Sequence, residues 1–107
     1  MLDVHIAKSF DDAMQNKPIV RIDVDVHLAF FNDRIGLVAN CSQLQRMSDH
    51  YSDCTFAGQQ IQALLAEIDT VSSKITATSP HQEWLKNLRN ACHSAIANGD
   101  SLFAICD

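Results

Sequence analysis

RMSDHYSDCTFAGQQIQALLAEIDTVSSKI, residues 46–75, decides how the rest of this chain is read. Its second half is the clearest helix in the sequence. Ile61, Leu64, Leu65, Ile68, Val71 and Ile75 recur at spacings of three, four and seven, which puts them on one stripe of a 3.6-residue helix. Gln59, Gln60, Gln62, Glu67, Asp69 and Lys74 fall mostly elsewhere and can stay wet. Its first half, SDHYSD, crowds polar and titratable groups into a short hinge before that helix. The stripe must be sheathed by something, and the flanking sequence supplies it.

Upstream, residues 2–7 (LDVHIA) alternate, with Leu2, Val4 and Ile6 against Asp3 and His5, as a half-buried strand does. Residues 8–17 read as a loop, because Asp11, Asp12 and Asn16 are turn formers. Pro18 opens a second strand in which Val20, Ile22 and Val24 alternate with Arg21 and Asp23. Ile19 is the one apolar residue on its polar face. The two strands can pair as a hairpin. Residues 24–35 have two readings. Asp23 or Asp25 can cap a helix that buries Val26, Ala29, Phe30 and Phe31, with Gly36 ending it, or the strand continues through Leu28. The helix is favoured. Leu37, Val38, Cys41, Leu44, Met47 or Ser48, and Tyr51 then suggest a short helix over about residues 38–50.

Downstream, Ser79 and Pro80 form a helix start, with Ser79 as the cap, Pro80 at the first position and Gln82 three residues on. Trp84, Leu85, Leu88, Cys92, Ala95 and Ile96 mark that helix's apolar face, and Asn98 and Gly99 stop it. SLFAIC, residues 101–106, is a short apolar strand. The expected fold is a single α+β domain over residues 1–107. It has a small antiparallel sheet of about three strands, two N-terminal and one C-terminal, packed on three or four helices. The last strand is expected to pair with one of the first two. An edge left open would invite a homodimer.

The chain has 107 residues, 47% of them hydrophobic, which is enough for a real core. Its net charge of −5 disfavours nucleic acid and anionic membranes and suits a basic protein partner. No apolar run approaches the ~20 residues that span a bilayer. Residues 1–10 carry Asp3, His5 and Lys8, so no signal peptide is expected and the location is read as cytoplasmic. Cys41, Cys54, Cys92 and Cys106 form no CxxC pair or zinc spacing and are read as reduced, mostly buried thiols.

The hinge holds the candidate chemistry. If a helix ran through it, Asp49 and Asp53 would share a face, and so would His50 and Cys54. Paired carboxylates can hold a metal, and a Cys–His pair can make a nucleophile. The plainer reading is a polar helix end with capping aspartates and a buried Cys54. Asp23, Asp25 and His27 would converge on a strand and diverge on a helix. Cys92 and the adjacent His93 point about 100° apart on a helix and cannot work as a pair. His81 is expected in solvent. There is no GxSxG, HExxH or glycine-rich phosphate loop, and only three glycines. No cofactor is expected. Asp49, His50, Tyr51 and Asp53 instead offer an acidic rim around an aromatic anchor, which suits protein binding.

Leu44, Arg46, Ser48, Asp49, Tyr51, Asp53 and Phe56 precede the leucine-rich helix, and Gly99, Leu102 and Asp107 close the chain. On these positions, over about half its length, the sequence resembles a loose class of small bacterial proteins, uncharacterised or of the immunity type, of the kind carried on mobile gene cassettes. The resemblance implies a protein that binds and restrains a toxin-like enzyme, and it brings no catalytic residues. The sequence therefore reads as a non-catalytic protein-binding module. The alternatives are a metal-binding protein or metal-dependent enzyme using Asp49, His50 and Asp53 or Asp23, Asp25 and His27, and a self-associating structural module.

Overall fold

The computed structural model describes residues 1–32, 38–48 and 52–106. In chain order the elements are β1 (Leu2–Ala7), α1 (Phe10–Gln15), β2 (Val20–Ile22), α2 (Val24–Phe31), α3 (Ser42–Gln45), β3 (Cys54–Phe56), α4 (Gln59–Lys74), α5 (His81–Asn98) and β4 (Ser101–Cys106). The four strands form one antiparallel sheet in the order β2-β1-β4-β3. β4 lies inside the sheet, pairing with β1 from Leu2↔Cys106 to Ala7↔Ser101 and with β3 at Thr55↔Phe103. The fold is α+β as expected, with one strand more and, among the described residues, five helices instead of three or four.

Alternation along the strands sorts the sheet into two faces. Leu2, Val4, Val20, Ile22, Phe56, Leu102 and Ala104 point to the main core, with Ile6, Cys54 and Cys106 partly buried beside them. There they meet Ile61, Leu64, Ile68 and Val71 of α4 and Leu85, Leu88, Ala91, Cys92 and Ala95 of α5. Leu65 and Ile75 are half-buried at the edge of the stripe. Truncating a residue such as Leu85 or Ile68, both fully buried, to alanine typically removes about 2–5 kcal/mol. Phe30 of α2 fills the remaining corner, with ring centroids 4.8 Å from Trp84 and 5.1 Å from His81.

Several local expectations are corrected. Residues 8–17 are not a plain loop. Ser9 Oγ accepts from the Asp12 amide at 3.2 Å and caps α1, whose Ala13 is buried against the other face of the sheet. β2 stops at Ile22, and Val24 opens α2. On α2, His27 and Phe30 are fully buried and Val26 and Phe31 pack half-buried against the core, while Ala29 is exposed. A helix winds back every 3.6 residues, and Asp23 at the N-cap sets a phase that turns His27 inward. The third helix is confined to Ser42–Gln45, although Val38, Cys41, Leu44 and Met47 are buried as the spacing suggests. Gly36, Leu37 and Tyr51 lie outside the described residues. On α5, Ala91 is buried and Ile96 is exposed, since the covered stripe follows the sheet rather than the full run of apolar residues.

Two helix ends are held as their chemistry requires. Ser79 Oγ accepts from the His81 amide at 3.2 Å, although the N-cap position of α5 falls on Pro80, one residue later than the sequence suggests. Gln82 does not close a capping box. Its amide nitrogen donates to the Ser72, Thr76 and Ile75 carbonyls at and just past the end of α4, where helical partners run out. Gly99 ends α5 in the left-handed conformation, φ 66° and ψ 28°. Lys8 Nζ then binds the Asn98 carbonyl at 2.8 Å and the Asp100 carboxylate at 2.6 Å, which ties the α5–β4 turn to the end of β1. Among the described residues no helix is long and apolar enough to cross a membrane.

Candidate functional site

The hinge is not a continuous helix. Ser52 and Asp53 lie outside any helix, and β3 begins at Cys54. The i, i+4 pairing of Asp49 with Asp53 and of His50 with Cys54 therefore has no helical frame. Asp49, His50 and Tyr51 lie outside the described residues. Asp53 is exposed, and its Oδ1 accepts from the Cys106 amide at 2.8 Å. The aspartate thus fastens the start of β3 to the end of β4.

Arg46 provides a second fastening. Its Nη1 donates to Gln43 Oε1 at 3.0 Å and its Nη2 to the Thr55 carbonyl at 2.6 Å. Its guanidinium carbon stands 4.6 Å from the centroid of the Phe56 ring, a cation–π arrangement. A planar fork with five donors can do all three at once, and a lysine could not. Leu44, Phe56 and Leu102 are buried in the core. Most described positions that carry the resemblance thus hold the fold together, while Ser48 stays exposed.

The thiols do not form a nucleophile. Burial pushes Cys54 up from 9.0 to about 11, with Arg46 opposing the rise and Asp53 adding to it. Burial and then Asp69 push Cys92 from 9.0 to about 12. Cys41 is also raised, by burial first and Glu67 second. All four cysteines are reduced rather than paired in disulfides. A nucleophilic cysteine needs the opposite surroundings, a cation or helix N-terminus that favours thiolate.

Asp23, Asp25 and His27 are separated by α2. Asp23 takes the N-cap position, Asp25 is exposed in the first turn, and His27 is fully buried. His27 Nε2 sits 2.6 Å from the Met47 carbonyl. A carbonyl can only accept, so Nε2 carries the proton and α2 is pinned to the segment after α3. Among the described residues no three His, Cys, Asp or Glu side chains gather where a metal ion could bind them together. His93 is exposed and Cys92 is buried, as their spacing implies. His81 is not in open solvent. It is half-buried, and its Nδ1 accepts from Trp84 Nε1 at 3.1 Å.

Sequence reasoning missed the second face of the sheet. Pleat alternation places Asp3, His5, Ala7, Arg21, Thr55, Phe103 and Ile105 there. Arg21 Nε holds Asp3 Oδ1 at 3.0 Å. Phe10 of α1 meets Phe103 edge to face at 6.2 Å. α1 covers one end of this face, and Ala7, Ala13 and Phe103 form a small second core beneath it. Three large apolar side chains remain open: Phe10 at 45%, Met14 at 58% and Ile19 at 50% exposure. Two signals pointed here. Ser9-x-x-Asp12 is a helix-capping pattern ahead of Phe10, Ala13 and Met14, and Ile19 broke the alternation of its strand.

No protein-family model, curated protein or solved structure matches the chain.

Proposed function

We propose that this chain is a non-catalytic module that binds a basic protein, and in its most concrete version an immunity or inhibitor protein against a bacterial toxin-like enzyme. The observation that carries the reading is the framing of the acidic bend. Asp53 is exposed at its downstream end and is held by the Cys106 amide, while Arg46 ties the residues before the bend to β3. Fixed ends reduce the ordering cost of binding, and clustered carboxylates on a chain of net charge −5 steer a cationic partner. Asp49, His50, Tyr51 and Asp53 are the residues proposed to make the contact.

The test is calorimetric titration against the product of a neighbouring toxin-like gene. Tight binding is expected for the native chain. Asp53→Asn keeps an oxygen for the Cys106 amide and removes the charge, so it should weaken binding about tenfold without unfolding the domain. Binding that ignores Asp53→Asn and Asp49→Asn would remove the bend from the interface. Stoichiometric metal in protein purified without a histidine tag, lost on Asp53→Asn with the fold intact, would replace this reading with a metal-binding one.

A further inference from the structure

We propose that the basic partner docks on the face of the sheet turned away from α4 and α5, placing an apolar side chain flanked by lysine or arginine against Phe10, Met14 and Ile19. This rests on the protein-binding reading above and names a surface that reading does not include.

Exposed apolar side chains border one strip of this face. Ile19 donates its amide to the Val4 carbonyl at 2.8 Å, just past the last β1–β2 pair, Val4↔Val20, which holds it beside β1 where β2 begins. His5 pairs with Phe103, and Phe103 touches Phe10. Met14 follows Phe10 by one helical turn. Single exposed apolar residues are ordinary on a protein surface, but adjacent ones such as Phe10 and Met14 are characteristic of binding sites. A second observation falls on the same strip. His5 is 7% exposed, yet its buried Nδ1 has no hydrogen-bond partner among the described residues. Such a group is costly to leave unmade, and in native proteins it calls for an explanation.

Charge selects the occupant. Two cations of this face are held by partners within the chain, Arg21 by Asp3 and Lys8 by Asp100. Asp11 and Asp12, in the first turn of α1 beside Phe10, are exposed and form no ion pair among the described residues. Asp53 stands beyond Thr55 at the other side of the sheet. Lys17 is the one opposing charge in the loop before β2. A second copy of the chain would bring the same carboxylates and another net charge of −5, so a cationic partner fits better.

The experiment pans a random-peptide display library on the full chain and measures the enriched peptides by fluorescence anisotropy. Enriched peptides should carry lysine or arginine around a leucine, phenylalanine or tryptophan. Their affinity should fall with added salt and at least tenfold on Met14→Glu, with Ile19→Glu acting the same way. Both side chains are exposed, so thermal melts should match the native chain. Peptides lost on Asp53→Asn but indifferent to Met14→Glu and Ile19→Glu would keep the bend reading and overturn the docking face. Peptides lost on Met14→Glu but indifferent to Asp53→Asn would keep the face and remove Asp53 from it. No enrichment, or enrichment without cationic bias, would overturn the proposal. So would a dimer in sedimentation velocity that Met14→Glu dissociates, which would assign the face to a second copy.

Discussion

Glu67 shows what a single side chain does here. It is half-buried on α4, and its carboxylate accepts from the Gln43 amide at 3.0 and 3.2 Å and from the Leu44 amide at 2.8 Å. Those amides open α3, whose own N-cap residue, Cys41, supplies no capping hydrogen bond. Glu67→Ala leaves both donors unmet and should lower stability by about 1–3 kcal/mol in urea unfolding, with Glu67→Gln recovering part of it. An unchanged midpoint for Glu67→Ala would show that the cap does not matter. Glu67 read as a wet residue because helical phase says which way a side chain leaves its own helix, not what another segment brings to meet it. The contacts of Arg46 with Thr55 and of Asp53 with Cys106 were hidden in the same way. The thiols give a second test at this scale. Cys54 and Cys92 rise from 9.0 to about 11 and about 12, so the folded chain keeps their protons to higher pH than the unfolded chain does. That contribution is complete below about pH 9 and is lost as pH rises through the folded values. Urea midpoints should therefore fall between about pH 9 and about pH 11. Cys92→Ala should flatten that fall, and an unaltered slope would contradict the assignment.

At the scale of elements, legibility followed length and locality. β1, α4, α5 and β4 were readable because each carries its own periodicity over at least six residues. β3 was not, because three residues with one buried side chain, Phe56, have no period. It becomes a strand only because β4 lies beside it. α1 is short as well, and its Asp11, Asp12 and Asn16 are as common in turns as in first and last helical turns. Glycine allows a test of two junctions. Gly58 before α4 has φ 55° and ψ −122°, and Gly99 after α5 has φ 66° and ψ 28°. A Cβ at either would meet nothing within 4 Å, so only the backbone matters. The left-handed region is tolerated at a cost of about 1–2 kcal/mol, whereas the Gly58 conformation lies outside the regions open to L-residues. Gly58→Ala should therefore destabilise more than Gly99→Ala, and Gly99→Asn less than Gly99→Ala. Equal denaturation midpoints for the two alanine variants would show that Gly58 does not hold this conformation in solution.

Over the whole molecule, burial is uneven between the two sides of the sheet. α4 and α5 cover the main core, while short α1 covers only one end of the other side and leaves Phe10, Met14 and Ile19 open, with the exposed carboxylates of Asp11 and Asp12 beside Phe10. The sequence pointed to the acidic bend but not to this face, because the face is assembled from β1, β2, β3, β4 and α1 and no one of them announces it. The most direct measurement is amide chemical-shift mapping of the full chain titrated with a cationic peptide enriched from the library. Shifts should concentrate in α1, at Ile19 and along β1 and β4 around His5, Phe103 and Ile105. Shifts confined to the solvent-facing sides of α4 and α5 would contradict the assignment of this face as the binding surface.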